Sequence, residues 1–166
     1  MKPNSTFTIF KFTSSANITH WKVINDAVMG GKSEGNFKLN TNRNGEFYGF
    51  VSPENNGGFS SLKYEFKAID VSTYKTIHIK IKGDGSNYQL RIKDSSSNPY
   101  SFITHFSTNK AWQTITFSLS NMYPSFRGKK LMFANFSSNK IEEIAFLIAN
   151  KSSQTFHLEI DEIYLQ

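Results

Sequence analysis

The chain has 166 residues, one domain's worth, with a formal net charge of +6 from 19 Lys and Arg against 13 Asp and Glu. Its apolar share is only 38%, but 16 Phe, 7 Tyr and 2 Trp make that share aromatic, a composition suited to half-buried strands rather than helices. The absence of Cys excludes disulfides, thiolate metal sites and a thiol nucleophile, and the basic residues are too scattered to form a nucleic-acid tail.

In chain order, residues 1–12 are interrupted by polar side chains every second or third position, unlike the apolar run of a secretory leader, so residence in the cytoplasm is expected. Gly35 to Leu39 and Glu46 to Val51 flank Asn42-Arg43-Asn44-Gly45 and predict a hairpin. Phe59 to Phe66 places Leu62, Tyr64 and Phe66 on one face of a strand, and Asp70 to Tyr74 follows as a short connector. Ile77 to Lys82 and Tyr88 to Lys93 alternate strictly on either side of Gly83-Asp84-Gly85-Ser86, which predicts a second hairpin. Its solvent face would then carry His78, Lys80 and Lys82 beside Gln89, Arg91 and Lys93 as one basic stripe.

Tyr100 to Phe106 and Trp112 to Leu119 read as further strands. Asn139-Lys140-Ile141-Glu142 has the form of a capping box and predicts one helical turn. Ile144 to Ala149 is apolar on both parities, as in a strand covered on both sides, yet too short to span a bilayer. Thr155 to Leu165 alternates until Asp161-Glu162, where the parity slips and a bulge is expected. About ten strands separated by turns, over residues 1–166, describe a single all-β sandwich.

Catalytic patterns are absent from the sequence: no Gly-x-Ser-x-Gly occurs, and His20, His78, His105 and His157 fall on separate segments. Glycine pairs 30–31 and 57–58 precede strands rather than helices, so neither is a phosphate-cradling loop. Glu159 and Asp161, with His157, share a parity and can be read as calcium ligands or as the solvated face of an edge strand. The cations lack interleaved exposed aromatics, so nucleic acid is not expected as a partner.

The stretches Trp21-x-Val-Ile-Asn25-Asp26-x-Val-Met-Gly30-Gly31-x-Ser33-x-Gly35 and Glu54-Asn55-Asn56-Gly57-Gly58-Phe59-Ser60-Ser61 carry a resemblance. With them go Lys82-Gly83-Asp84-Gly85, Tyr88, Arg91, Pro124-Ser125-Phe126-Arg127-Gly128, Leu147-Ile148-Ala149-Asn150-Lys151 and Phe156-x-Leu-Glu159-Ile-Asp161. In this order they resemble the complex I intermediate-associated protein 30 family. The resemblance implies a galactose-binding-like jelly roll of two antiparallel sheets, without catalysis or cofactor, that binds a protein as an assembly chaperone. Asn25, Asp26, Glu54, Asn55, Arg91 and Arg127 lie in the family-like segments and form the candidate binding surface. The wider superfamily includes carbohydrate-binding modules, for which Trp21, Trp112 and Tyr123 would be the aromatic platforms, although both Trp stand at strand starts where core burial is expected.

Overall fold

A computed structural model describes residues 5–25, 33–53, 58–150 and 152–166. Among these residues thirteen strands run β1 (Phe7–Lys11), β2 (Trp21–Asn25), β3 (Glu34–Leu39), β4 (Gly45–Val51), β5 (Phe59–Asp70), β6 (Thr76–Lys82) and β7 (Asn87–Lys93). They continue as β8 (Ser101–Ser107), β9 (Trp112–Ser118), β10 (Tyr123–Phe126), β11 (Lys129–Lys130), β12 (Lys140–Ala149) and β13 (Gln154–Leu165). The only helical element among the described residues is a 3₁₀ turn, Leu119–Asn121. All pairings are antiparallel and make two sheets: a six-stranded sheet ordered β3-β4-β13-β6-β9 with β1 on β13, and a seven-stranded sheet ordered β11-β10-β8-β7-β12-β5-β2.

The core lies between the sheets and follows from alternation. Ile77, Ile79 and Ile81 of β6 and Leu158, Ile160, Ile163 and Leu165 of β13 face Leu90 and Ile92 of β7 and Ile144, Phe146 and Ile148 of β12. One end is closed by aromatic rings: Trp21 stacks on Tyr64 at 4.6 Å and meets Phe10 edge-on at 5.3 Å. The β3–β4 hairpin and the bulge in β13 between Ile160 and Glu162 match the sequence pattern, and β12 is central in its sheet, between β7 and β5; but only its Ile144, Phe146 and Ile148 face packs against the other sheet, so the expected covering of both faces is not met.

Three expectations are corrected. First, β6 and β7 do not form a hairpin. β6 pairs with β13 and β9, whereas β7 pairs with β12 and β8, so residues 83–86 carry the chain from one sheet to the other. The Asp84 side chain explains the crossing. β6 pairing on β13 stops at Lys82 opposite Glu159, and Asp84 Oδ2 then accepts the His157 N–H at 3.0 Å in place of a strand carbonyl. The Tyr88 hydroxyl sits 2.9 Å from Asp84 Oδ1 and 3.3 Å from the His157 carbonyl, and burial with the neighbouring Asp84 carboxylate pushes its pKa up. The single basic stripe therefore does not exist: Lys80 and Lys82 lie on one outer face of the sandwich, Arg91 and Lys93 on the other.

Second, Asn139 to Glu142 makes no helical turn, because Lys140 and Ile141 already pair with Asp70 and Ile69. Third, β13 is flanked on both sides, by β4 and β1 on one and β6 on the other, so it is no edge strand.

Candidate functional site

The two outer faces differ in how their charges are met. On the six-stranded sheet, Glu46, Glu159 and Asp161 each have a partner close by. Glu46 Oε1 is 2.8 Å from His157 Nε2 and its Oε2 is 3.2 Å from Lys38; burial raises the Glu46 pKa, but these bonds outweigh it and hold the carboxyl below its ordinary range. Asn40 donates to Glu159 at 2.7 Å, and Asp161 binds Lys11 at 2.8 Å and Lys80 at 3.3 Å. The weak calcium candidates Glu159 and Asp161 are thus engaged by an amide and two ammonium groups. No group of three or more His, Asp or Glu able to hold a metal occurs among the described residues. His78, expected to be exposed, is buried between the Thr76 and Thr116 hydroxyls, each 2.9 Å away, and stacks on Tyr164 at 4.7 Å; burial lowers its pKa.

The outer face of the seven-stranded sheet is organised around Arg91. Directly paired residues point to the same side of a sheet, so the registers define a row across it: Tyr123, Ile103, Arg91, Ala145, Lys63 and Lys22. A parallel row runs His105, Gln89, Leu147, Ser61 and Ile24. Arg91 thus stands between Ile103 and Ala145, two apolar residues each only 4% exposed although they lie outside the inter-sheet core. Its Nη1 donates to Gln89 Oε1 at 2.8 Å. Burial depresses the Arg91 pKa, with Glu143 opposing that effect.

A cleft of about 450 Å³ opens here, lined by Gln89, Arg91, Ile103, His105, Tyr123, Ser125, Gly128 and Lys130. His105 Nε2 lies 2.9 Å from the Tyr123 hydroxyl, and Lys130 Nζ caps the Tyr123 ring at 5.3 Å from its centroid. Beyond Ala145, Glu143 is 3% exposed and its Oε1 makes no hydrogen bond. Lys63 lies 3.7 Å from that oxygen but only 2.9 Å from Glu65, so it relieves Glu143 weakly. Burial outweighs the opposing charges of Lys93 and Lys63 at Glu143 and pushes its carboxyl up. Lys63 is itself lowered by burial, but the bond to Glu65 and the charge of Glu143 raise it further and keep it cationic.

The sequence candidates separate. Arg91 lies in the cleft. Arg127 is exposed at the β10–β11 turn with φ 50°, followed by Gly128 at φ 79°, the left-handed pair that a two-residue hairpin needs. That turn brings Gly128 to the cleft rim. Asn25 Oδ1 accepts the Gly35 N–H at 3.0 Å and the Ser60 hydroxyl at 2.7 Å, tying β2, β3 and β5 together at a point where a Cβ on residue 35 would collide with Ser60. Asp26, Glu54 and Asn55 lie outside the described residues. Trp21 is buried as expected, whereas Trp112 is 41% exposed, beside Asn42, Asn44, Lys80 and Lys82 on the opposite face. His105, Lys130 and Glu143 were not singled out as binding residues from the sequence, because only strand register brings them beside Arg91.

Two packed antiparallel sheets in this strand order form a galactose-binding-like jelly roll, a fold shared with carbohydrate-binding modules. Among solved structures of this fold are two of family 11 carbohydrate-binding modules from Clostridium thermocellum. One, from the cellulosomal cellulase Lic26A-Cel5E, is 17% identical with a TM-score of 0.72 over 99% of this chain and 95% of that one. The other, in complex with a β-1,3-1,4-mixed-linked tetrasaccharide, is 19% identical with a TM-score of 0.69 over 93% and 94%. At such identities the likeness establishes the fold alone. The chain belongs to the complex I intermediate-associated protein 30 family, whose model matches residues 10–160. A curated relative, the mitochondrial complex I intermediate-associated protein 30 of Mus musculus, is 24% identical over 93% of this chain. The chain spans about half, 54%, of that relative's length. No helix among the described residues is long and apolar enough to cross a membrane.

Proposed function

We propose that residues 1–166 form one non-catalytic, cytoplasmic binding domain that holds a protein partner, as an assembly factor does, on the outer face of the seven-stranded sheet. The observation that carries this reading is the family match over residues 10–160. The surface supports it: Arg91 between two apolar residues, with a tyrosine beside it, has the composition of a recognition centre, in which aromatic and arginine side chains dominate the binding energy. The test is purification of the tagged domain from its native cells, with quantitative identification of bound proteins and fractionation to locate it. Enrichment of a defined protein or subcomplex is expected; recovery of nothing above an unrelated jelly roll contradicts the reading.

A carbohydrate-binding role is the second reading, favoured by the fold likeness to a module in complex with a tetrasaccharide. Titration calorimetry with the β-1,3-1,4-mixed-linked tetrasaccharide tests it. Saturable heat that disappears in Tyr123→Ala would move the assignment to sugar.

A further inference from the structure

Arg91 differs from the other engaged cations of this protein. Lys11, Lys38, Lys63, Lys80 and Lys140 each reach a carboxylate within 4 Å. Among the described residues no carboxylate comes that close to Arg91, and its nearest cross-strand neighbours are Ile103 and Ala145. Apolar flanks remove water from a guanidinium without supplying an anion, which makes the fork an incomplete ion pair. The rest of the cleft does not complete it. Gln89 offers one amide oxygen, already accepting from Arg91, and the remaining charged lining residue, Lys130, is a second cation. Glu143, the acid that bears on Arg91, lies beyond ion-pair distance and is held toward its neutral form by burial. Lys129 and Arg127 add positive charge along the β10–β11 hairpin next to Gly128.

We propose that this cleft is a carboxylate-binding site that receives an acidic side chain from an extended segment of the protein partner. The Arg91 fork takes the carboxylate, the His105–Tyr123 pair and Ser125 offer hydrogen bonds along its flank, and Lys130 closes the rim. Charge complementarity selects a peptide bearing Asp or Glu over a neutral glycan, and a volume of about 450 Å³ suits one or two side chains inserted from a passing strand rather than a folded domain. The proposal rests on the protein-binding reading and names the chemistry of the partner.

The test uses the whole chain and a blocked hexaglutamate peptide, with hexaglutamine as its neutral control, followed by amide and arginine side-chain NMR. Hexaglutamate is expected to bind saturably, to shift resonances of Gln89, Arg91, Ile103, His105, Tyr123 and Lys130, and to weaken with added salt. Arg91→Gln should weaken it about tenfold, the loss of one charge-assisted contact in a half-buried site, with Arg91→Lys between the two. If Arg91→Gln does not fold, Lys130→Gln at the exposed rim carries the same comparison with a smaller loss. Equal affinity of the two peptides, unchanged binding by the folded variants, or shifts from the tetrasaccharide but none from hexaglutamate would overturn the proposal. A native partner captured equally by wild type and Arg91→Gln would also overturn it while leaving the protein-binding reading intact. Failure of wild type to capture any partner counts against that broader reading instead.

Discussion

Replacing Asp84 with alanine tests how the chain passes between its sheets. Asp84 accepts from three donors: the His157 N–H at 3.0 Å, the Tyr88 hydroxyl at 2.9 Å and the Ser86 N–H at 3.0 Å. The losses are unequal. His157 sits in the middle of the six-stranded sheet where β6 has ended, so its N–H would be left without a strand partner, costing about 1–3 kcal/mol. Tyr88 is 1% exposed but can fall back on the His157 carbonyl at 3.3 Å, so its share is about 1 kcal/mol. Ser86 lies in a turn where water can replace the carboxylate, and it adds little. The sum is about 3 kcal/mol. Urea unfolding followed by tryptophan fluorescence should show the midpoint falling by about 1.5 M, at a slope of about 2 kcal/mol/M for a chain of this size. Tyr88→Phe alone should cost about 1 kcal/mol, and the double variant should cost less than the two singles together because they share one bond. A loss below about 0.5 kcal/mol for Asp84→Ala would refute the idea that a side chain takes over the strand ladder at His157.

Burial elsewhere in the fold sets two further outcomes. Glu143 has a raised pKa, so the folded state holds its proton more tightly than the unfolded chain. Its contribution therefore falls as pH rises from about 4.3, the unfolded value, through the folded pKa, and Glu143→Gln should gain stability relative to wild type between pH 4 and pH 7, read as a growing difference in urea midpoints. Trp112→Phe leaves Trp21 as the sole tryptophan, 6% exposed and stacked on Tyr64; its emission should shift to the blue and resist iodide several-fold better than the wild type.

Much of the architecture was legible because burial on one face imposes period two. The isoleucines of β6, the parity of β7 that turns Arg91 outward and the bulge near Asp161 were all readable locally. The 83–86 segment was not. Its glycines and flanking alternation satisfy every local condition for a hairpin, and the interactions that make it a crossover reach His157, 73 residues from Asp84 and 69 from Tyr88. The capping-box pattern at 139–142 failed for a similar reason, since pairing with Ile69 and Asp70 overrides a one-turn helical preference. β10 and β11 are too short to show a period. Of the candidate site, Arg91 was identifiable by residue type and parity, but the apolar neighbours that give it its character come from β8 and β12 and depend on register.

The claim that the seven-stranded sheet presents the binding face is tested most directly by hydrogen–deuterium exchange of the domain alone and with its co-purified protein partner. Protection is expected in Gln89–Lys93, Ser101–Ser107 and Tyr123–Lys130, with β3, β4 and β9 unchanged. Protection confined to β3, β4, β13 and β9 would place recognition on the opposite face and contradict the account.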